Sequence, residues 1–317
     1  MQVLKPFEYI ITIAEFESIS AAAEQLHIAQ SALSRYLLKL EKELGVELFD
    51  RSTLPLKLTE AGRCYVEAGQ RLLDTAHQME KRLEDIRCNR SREIRVGTGP
   101  SRAPILFPLI LEAFRLRQAD ARIRIEECRT AELSDRLEKG QLDLVISLLD
   151  ETTSGFGMEE LFEETVLLAV PKRLESSVER ALPPDGRVRV DALTVPIISL
   201  HPGQQLRNAL DILSGGTQPP ICHCEYVSSA MALVRSGFGV TLAPFYWKIA
   251  EADQDSIRFY PVAVPERLPQ SEQNKLMAVM RRRICIFYRK EQFLSLAERD
   301  FIRSAQEACR AFNAEMR

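Results

Sequence analysis

The order of apolar periods predicts an α/β protein in three parts: a small helical N-terminal unit, one long helix, and a two-lobed α/β region. Three observations predict it. Apolar residues recur at helical spacing up to Leu44. A single helical period then runs from Glu60 to Ile86 without a proline. From Glu93 onward, short β-branched runs alternate with helical stretches, the pattern of strand–helix–strand units.

The elements follow in order. Helix 1 covers roughly residues 4–16, with Leu4, Phe7, Ile11 and Ala14 on one side. A short second helix, Ala21–Leu26, has small residues on one face, so another helix can approach closely. His27-Ile28-Ala29 makes a tight turn into a third helix. There Leu33, Leu37, Leu40 and Leu44 are spaced to form one buried stripe. Its other face begins with Gln30, Ser31, Ser34 and Arg35, short polar groups and one long cation. A helix-turn-helix has this layout, because the start of its second helix meets base edges in the major groove. A solvated helix pair is the plainer alternative. Leu48–Arg51 and Leu58–Gly62 bracket a segment predicted as a two-stranded wing.

Thr59 is placed to cap a helix from Glu60 to Ile86, 27 residues or roughly 40 Å. Tyr65, Leu72, Met79 and Ile86 recur at heptad spacing, joined by Ala76 and Leu83. Heptads predict packing on another helix; a single helix lying on its own domain is the alternative. Arg87–Arg92 reads as a charged hinge. A strand at Glu93–Gly99, a helix at Ile105–Leu116 with Pro104 in its first turn, a strand at Ile123–Glu126, a helix at Ala131–Lys139 and a strand at Leu142–Ile146 predict a mostly parallel sheet. Val166–Val170 is a further strand. A second, similar unit follows: strands at Pro196–Leu200, Cys222–Tyr226 and Val240–Pro244, with helices at Gln204–Leu213 and Ser229–Ser236. Arg283–Tyr288 returns as a strand to the first unit, and Leu296–Phe312 is the closing helix. Gln270–Arg282 receives no assignment.

Composition gives little toward a partner. The 317 residues carry a formal net charge of −3. Residues 1–62 hold six Lys or Arg against nine Asp or Glu, so any nucleic-acid footprint must come from placement. Arg35, Lys39, Lys42, Arg51 and Lys57 cluster between the third helix and the wing. Modest long-range steering and a shallow salt dependence are the corollary. Seven scattered cysteines with no Cys-x-x-Cys pair suit a reducing compartment, and no apolar run or leader points to a membrane, so a cytoplasmic location is expected.

The string F..IAE..SISAAAEQLHIAQSALSR…LEKELGVELFDR…LTEAG closely resembles the N-terminus of LysR-type transcriptional regulators, over about the first 62 residues. The likeness continues more loosely beyond. It implies a winged helix-turn-helix in 1–62, a dimerisation helix and hinge in 63–90, and an effector-binding domain in 91–317. The last resembles the periplasmic-binding-protein-like domain of the family, with lobe I at 91–165 and 288–317 and lobe II at 166–287. Gln30, Ser31, Ser34 and Arg35 would reach bases or adjacent phosphates, and Arg51 and Lys57 would hold the wing to the backbone. The resemblance also implies a homodimer through the linker helix, a homotetramer on a pseudo-palindromic promoter, and a DNA bend altered by effector. Four positions depart from the family's usual pattern, one of them Ser31, which stands where Pro is frequent. Ala29 stands where Ser would cap the recognition helix, a loss of roughly 1 kcal/mol that Ser31 is placed to offset in part. Leu38 and Leu54 stand where basic residues are usual.

Two stretches carry candidate ligand chemistry. Thr98-Gly99-Pro100-Ser101 and His201-Pro202-Gly203-Gln204 each lie where a strand hands over to a helix. Free N–H groups and the helix dipole there favour an anion, although capped or hydrated helix starts are equally ordinary. Ser101, Thr130, Ser147, His201 and Gln204 match the family's usual effector-contact positions, which points to a small carboxylate. Arg102 and Arg129 have the charge to pair with it, but arginines on surface loops are more often solvated. Cys222-His223-Cys224 sits in a strand, so the two thiols share a face and His223 points away. Two thiols are too few for a closed zinc site, and no metal or cofactor is expected. A thiol- or peroxide-sensing regulator of the same architecture is the alternative function. Gly-x-Ser-x-Gly, Walker and His-Glu-x-x-His motifs are absent, so an enzyme has no positive support. A free solute-binding protein would lack the N-terminal unit and the long helix.

Overall fold

A run of helices with only a two-stranded ribbon among them opens the chain. In the computed structural model, which describes residues 4–86, 93–180, 182–216, 218–251 and 255–315, α1 spans Lys5–Phe16, α2 Ile19–Gln25 and α3 Gln30–Leu44. Pro6 sits in the first turn of α1, where its missing N–H costs nothing. Ser18 caps α2 through its side chain. His27 turns the chain between α2 and α3 in the left-handed region, at φ 54°. Gly45, with φ 73°, ends α3. The ribbon pairs β1 (Phe49–Asp50) with β2 (Lys57–Leu58), antiparallel. The wing expectation is met. Thr59 then accepts from Gly62 N at 3.0 Å and α4 runs Glu60–Ile86, as its capping and period predict. The core of this unit gathers Ile10, Ile13, Ala22, Ala23, Leu33, Leu37, Leu48, Phe49 and Val66. Gly62 is obligatory there, because a Cβ on it would lie 2.0 Å from the Leu48 carbonyl oxygen.

Two sequence expectations need correction in this unit. Leu44 is exposed, so the stripe of α3 does not extend to it. The third buried position is Glu41, four residues after Leu37, with 7% of its surface exposed. Tyr65, assigned to the heptad seam, stacks on Phe7 at 5.1 Å between ring centroids and belongs to the core side of α4. Leu72, Met79 and Leu83 remain exposed on α4. The hinge expected at 87–92 lies outside the described residues.

The second unit alternates strands and helices. In order these are β3 (Glu93–Thr98), α5 (Ala103–Arg115), β4 (Arg122–Glu127), α6 (Thr130–Glu138), β5 (Leu144–Leu148), β6 (Gly157–Pro171), α7 (Glu175–Glu179), β7 (Ile198–Leu200), α8 (Gln205–Ser214), β8 (Cys222–Cys224), α9 (Val227–Arg235), β9 (Thr241–Pro244), α10 (Tyr246–Ala250), β10 (Ile257–Tyr260), α11 (Gln270–Met280), β11 (Arg281–Tyr288) and α12 (Leu296–Glu315). The large sheet runs β10-β6-β11-β5-β3-β4, with β9 also on β6. Its β3 pairs are parallel, while β11 and β6 pair antiparallel with their neighbours. The mostly parallel sheet expected from sequence is therefore a mixed one. One strand, β6, crosses between the two lobes and runs over fifteen residues, far beyond Val166–Val170. Up to Thr165 it pairs with β11; from Val166 it pairs with β9 and β10. The second lobe's small sheet pairs β7 with β8 in parallel, and an Ile197–Val240 bridge ties it toward β9. The unassigned stretch 270–282 is α11 followed by the first residues of β11.

Candidate functional sites: recognition helix and cleft

In the first unit, the start of α3 presents Gln30, Ser31 and Arg35 exposed and Ser34 half-buried. Ala29 at the N-cap makes no side-chain cap. With those N–H groups open and no acidic residue in the first turn, the helix start favours an anion such as a phosphate. Arg35 Nε donates to the Ser31 carbonyl at 3.2 Å, so its guanidinium lies along its own helix. Lys57 is exposed on β2. Arg51 is not free: it forms an ion pair with the buried Glu41 carboxylate. Glu41 Oε1 also accepts from Leu48 N at 2.8 Å. One carboxylate thus fixes the chain at the entry to the ribbon. Sequence reasoning missed this corner. The spacing Leu33, Leu37, Glu41 was the signal.

In the second unit, a cavity of about 660 Å³ opens between the ends of four helices. Ser101 and Arg102 precede α5, Thr130 and Ala131 begin α6, Gln204 to Leu206 begin α8, and Tyr226 and Val227 begin α9. Leu148, Leu200 and Pro244 add apolar wall. Of the predicted contacts, Ser101, Thr130, His201 and Gln204 line this cavity. Ser147 does not. It is 1% exposed on β5, and strand alternation turns it away from the neighbouring Leu148, which does line the wall. Gln204 is already engaged, its Nε2 donating to the Glu225 carbonyl at 3.0 Å.

The charges around the cavity are mostly matched. At the rim Arg129 pairs with Glu225, and His201 Nε2 lies 3.9 Å from the same carboxylate. Asp150 accepts from Thr152 N at 2.9 Å and from its hydroxyl at 2.6 Å. Deeper in, Arg282 of β11 is the cross-strand neighbour of Glu164 on β6, and the two form an ion pair. Their charges are close but not aligned for a directed hydrogen bond. Tyr246, 2% exposed, also faces this floor. Burial pushes its phenol well up, the Glu164 charge adds to this, and Arg102 and Arg282 oppose it. It therefore stays a neutral donor. Arg102, for which the sequence left ligand pairing and plain solvation open, is 8% exposed.

Cys128 lines the cavity, while Cys222, Cys224, Cys285 and Cys309 do not. Cys222 and Cys224 share one face of β8 and His223 points to solvent, as the strand period requires. Burial raises the Cys224 thiol above its ordinary range, and Cys222 beside it raises it further. Burial pushes Cys285 up to about 11 and Cys309 up to about 12. Among the described residues, no cluster of His, Cys, Asp and Glu could hold a metal ion. Nor is any helix long and apolar enough to cross a membrane.

A helix-turn-helix with a wing, followed by a mixed α/β unit with a ligand-sized cavity, defines a DNA-binding regulator with a sensing domain. Residues 4–63 match the model of the bacterial regulatory helix-turn-helix protein, lysR family, and residues 89–310 match the LysR substrate binding domain. The chain belongs to the LysR family of transcriptional regulators. It is 29% identical over 326 residues to an uncharacterized HTH-type transcriptional regulator, YcgK, of Bacillus subtilis, covering 96% of this chain and 97% of that one. Its fold matches full-length OxyR from Pseudomonas aeruginosa with a TM-score of 0.64 at 23% identity, over 97% of this chain and 94% of that one. It also matches CbnR in complex with its target DNA, with a TM-score of 0.61 at 20% identity, over 96% and 99% of the two chains. The protein is a LysR-type, effector-controlled DNA-binding transcriptional regulator, and its relatives are regulators rather than enzymes.

Proposed function

We propose that this regulator senses a small organic acid bound in the α/β cleft and adjusts promoter occupancy or bending in response. One observation carries the reading: four helix starts, with the Ser101 and Thr130 hydroxyls, surround a single cavity. Helix N-termini present free N–H groups and partial positive charge, which favour an anionic ligand. Leu148, Leu200, Leu206 and Val227 would select its apolar body. Gln30, Ser31, Ser34 and Arg35 are the proposed base-edge and phosphate contacts, with Lys57 and Arg51 at the wing. Only a ligand that binds two arrangements of the lobes differently can shift their populations. The domain division proposed is 1–62, 63–90 and 91–317, in the cytoplasm. Because β11 pairs with β5 over its later half, we place the second crossing near 281 rather than 288.

The exposed seam of Leu72, Met79 and Leu83 supports a homodimer through α4, and the family resemblance extends this to a tetramer. Leu72→Glu with Met79→Glu puts like charges in that seam. Sedimentation should show loss of the dimer, and a double variant that remains dimeric at micromolar concentration would assign the association to another surface. For the ligand, a thermal-shift screen of metabolites, followed by gel shifts with the hits, is the test. Stabilisation by neutral or cationic compounds alone would overturn the anion reading.

The thiol-sensing alternative has one observation in its favour, the side-by-side Cys222 and Cys224. The raised Cys224 thiol counts against it, since a sensing cysteine needs thiolate character. Thiol counting before and after peroxide separates the two readings.

A further inference from the structure

Resting on the effector reading above, we propose that Arg102 is the residue that reads the acid group of the effector, at the inner end of the cleft. Arg102 is 8% exposed, it lines the cavity, and its Nε and Nη1 are buried with no hydrogen-bond partner among the described residues. A buried guanidinium without an acceptor is strongly disfavoured, because the charge loses its hydration and gains nothing in return. The other cations around the cavity already have carboxylates. Arg129 is paired with Glu225 and Arg282 with Glu164. Asp150, the remaining acid in the wall, is held by Thr152. Arg102 is left as the cation whose charge no described carboxylate pairs.

The local backbone is shaped for this side chain. Gly99 stands beside it, and a Cβ there would lie 3.3 Å from Arg102 Nη1. The turn that opens α5 thus leaves room for the guanidinium to fold beneath it. The Tyr246 hydroxyl, on the same floor, is a second donor for the acid's oxygens. A planar guanidinium beside a neutral phenol suits a carboxylate better than a neutral carbonyl, since Arg is always charged and its donors are fixed in one plane. The ligand class is a small organic acid, its acid group inward on Arg102 and its apolar part against Leu148, Leu200 and Val227.

The test uses the full chain, its Arg102→Gln and Arg102→Lys variants, and Arg129→Gln as a rim control. Sodium benzoate, sodium succinate and inorganic phosphate are titrated by thermal shift, with benzamide and succinamide as neutral counterparts. At least one acid should stabilise the parent, its amide should not, and Arg102→Gln should weaken that binding by about tenfold or more. Arg102→Lys should keep part of the response, and Arg129→Gln nearly all of it. Equal response to the acid in the parent and in Arg102→Gln overturns the proposal, as does equal binding of acid and amide. A neutral compound that stabilises the parent and Arg102→Gln alike, and loses that effect in Ser101→Ala, keeps the cleft as the effector site and removes Arg102 from it. No stabilisation of the parent by any of these anions at tens of millimolar removes both readings.

Discussion

Two arginines, Arg51 and Arg102, sit in regions that treat buried charge in opposite ways. Beside the ribbon, Arg51 is matched by Glu41, and the same carboxylate also holds the Leu48 backbone. On the cleft floor, Arg102 is more deeply buried and has no such match. A saturated group of charges fixes one conformation. An unsaturated one leaves donors open to an incoming acceptor. The first region is therefore a structural corner, and the second is the place proposed above for the effector's acid group.

The largest effect should come from breaking the saturated corner. Glu41→Ala removes the acceptor of Leu48 N and the partner of Arg51. Arg51 is half-exposed and can hydrate, so the loss is dominated by the buried N–H and should be about 3 kcal/mol. Denaturant unfolding of the full chain should show an earlier transition for the N-terminal unit, with operator binding lost in parallel. An unchanged midpoint would mean that the corner is ornamental.

On the cleft side, Ser101→Ala removes a neutral hydroxyl while Arg102 stays. It should weaken an anionic effector by the value of one hydrogen bond to a charged group, roughly 1.5–3 kcal/mol, with effector-free operator binding little changed. Calorimetric titration of the screened ligand checks this. A parent-like affinity would leave the acid group to Arg102 and the helix starts alone.

Arg35→Ala tests the open face of α3. Among the described residues its guanidinium bonds only its own helix's Ser31 carbonyl, an exposed contact that DNA can replace at little cost. Operator affinity should fall by about 1–3 kcal/mol with folding intact. Unchanged gel-shift titrations would take Arg35 out of the interface.

How much of this was legible in the sequence differs between the same two regions. The helix-turn-helix, the wing and α4 could be read almost residue by residue, because their signals are local: period, turn and cap. Glu41 escaped, since Leu40 and Leu44 complete an equally regular apolar stripe, and only the fold shows which face turns inward. In the second unit the elements up to β5 were legible, and β6 was not. Glu159, Glu160, Glu163 and Glu164 make its first half look polar, although it is a strand shared with β11. Helix α11 carries a weak apolar face and no side-chain cap, so nothing local marks it. The cleft residues Ser101, His201 and Gln204 were found from strand-to-helix junctions, and Thr130 from the family resemblance alone. Arg102 was named as able to pair with a ligand charge, with solvation the commoner alternative. Tyr246 and Arg282, which line the same cavity, lie more than a hundred residues away in the chain.

The smallest predicted effect concerns whether the matched arginine ever leaves its partner. A cation that neutralises a phosphate releases counterions, so its removal lowers the slope of log affinity against log salt by about 0.9. Lys57 is exposed on β2, and among the described residues no ion pair involves it. Lys57→Ala should show nearly that full change. Arg51 is held by Glu41, and reaching DNA would require it to share or give up that carboxylate. Arg51→Ala should therefore change the slope by clearly less than Lys57→Ala, and appear mainly as a stability loss within about 1 kcal/mol, as for a half-exposed ion pair. Fluorescence anisotropy of operator binding across a salt series measures both slopes. Equal slopes would show that the corner opens on DNA, and that its charges are matched only in the free protein.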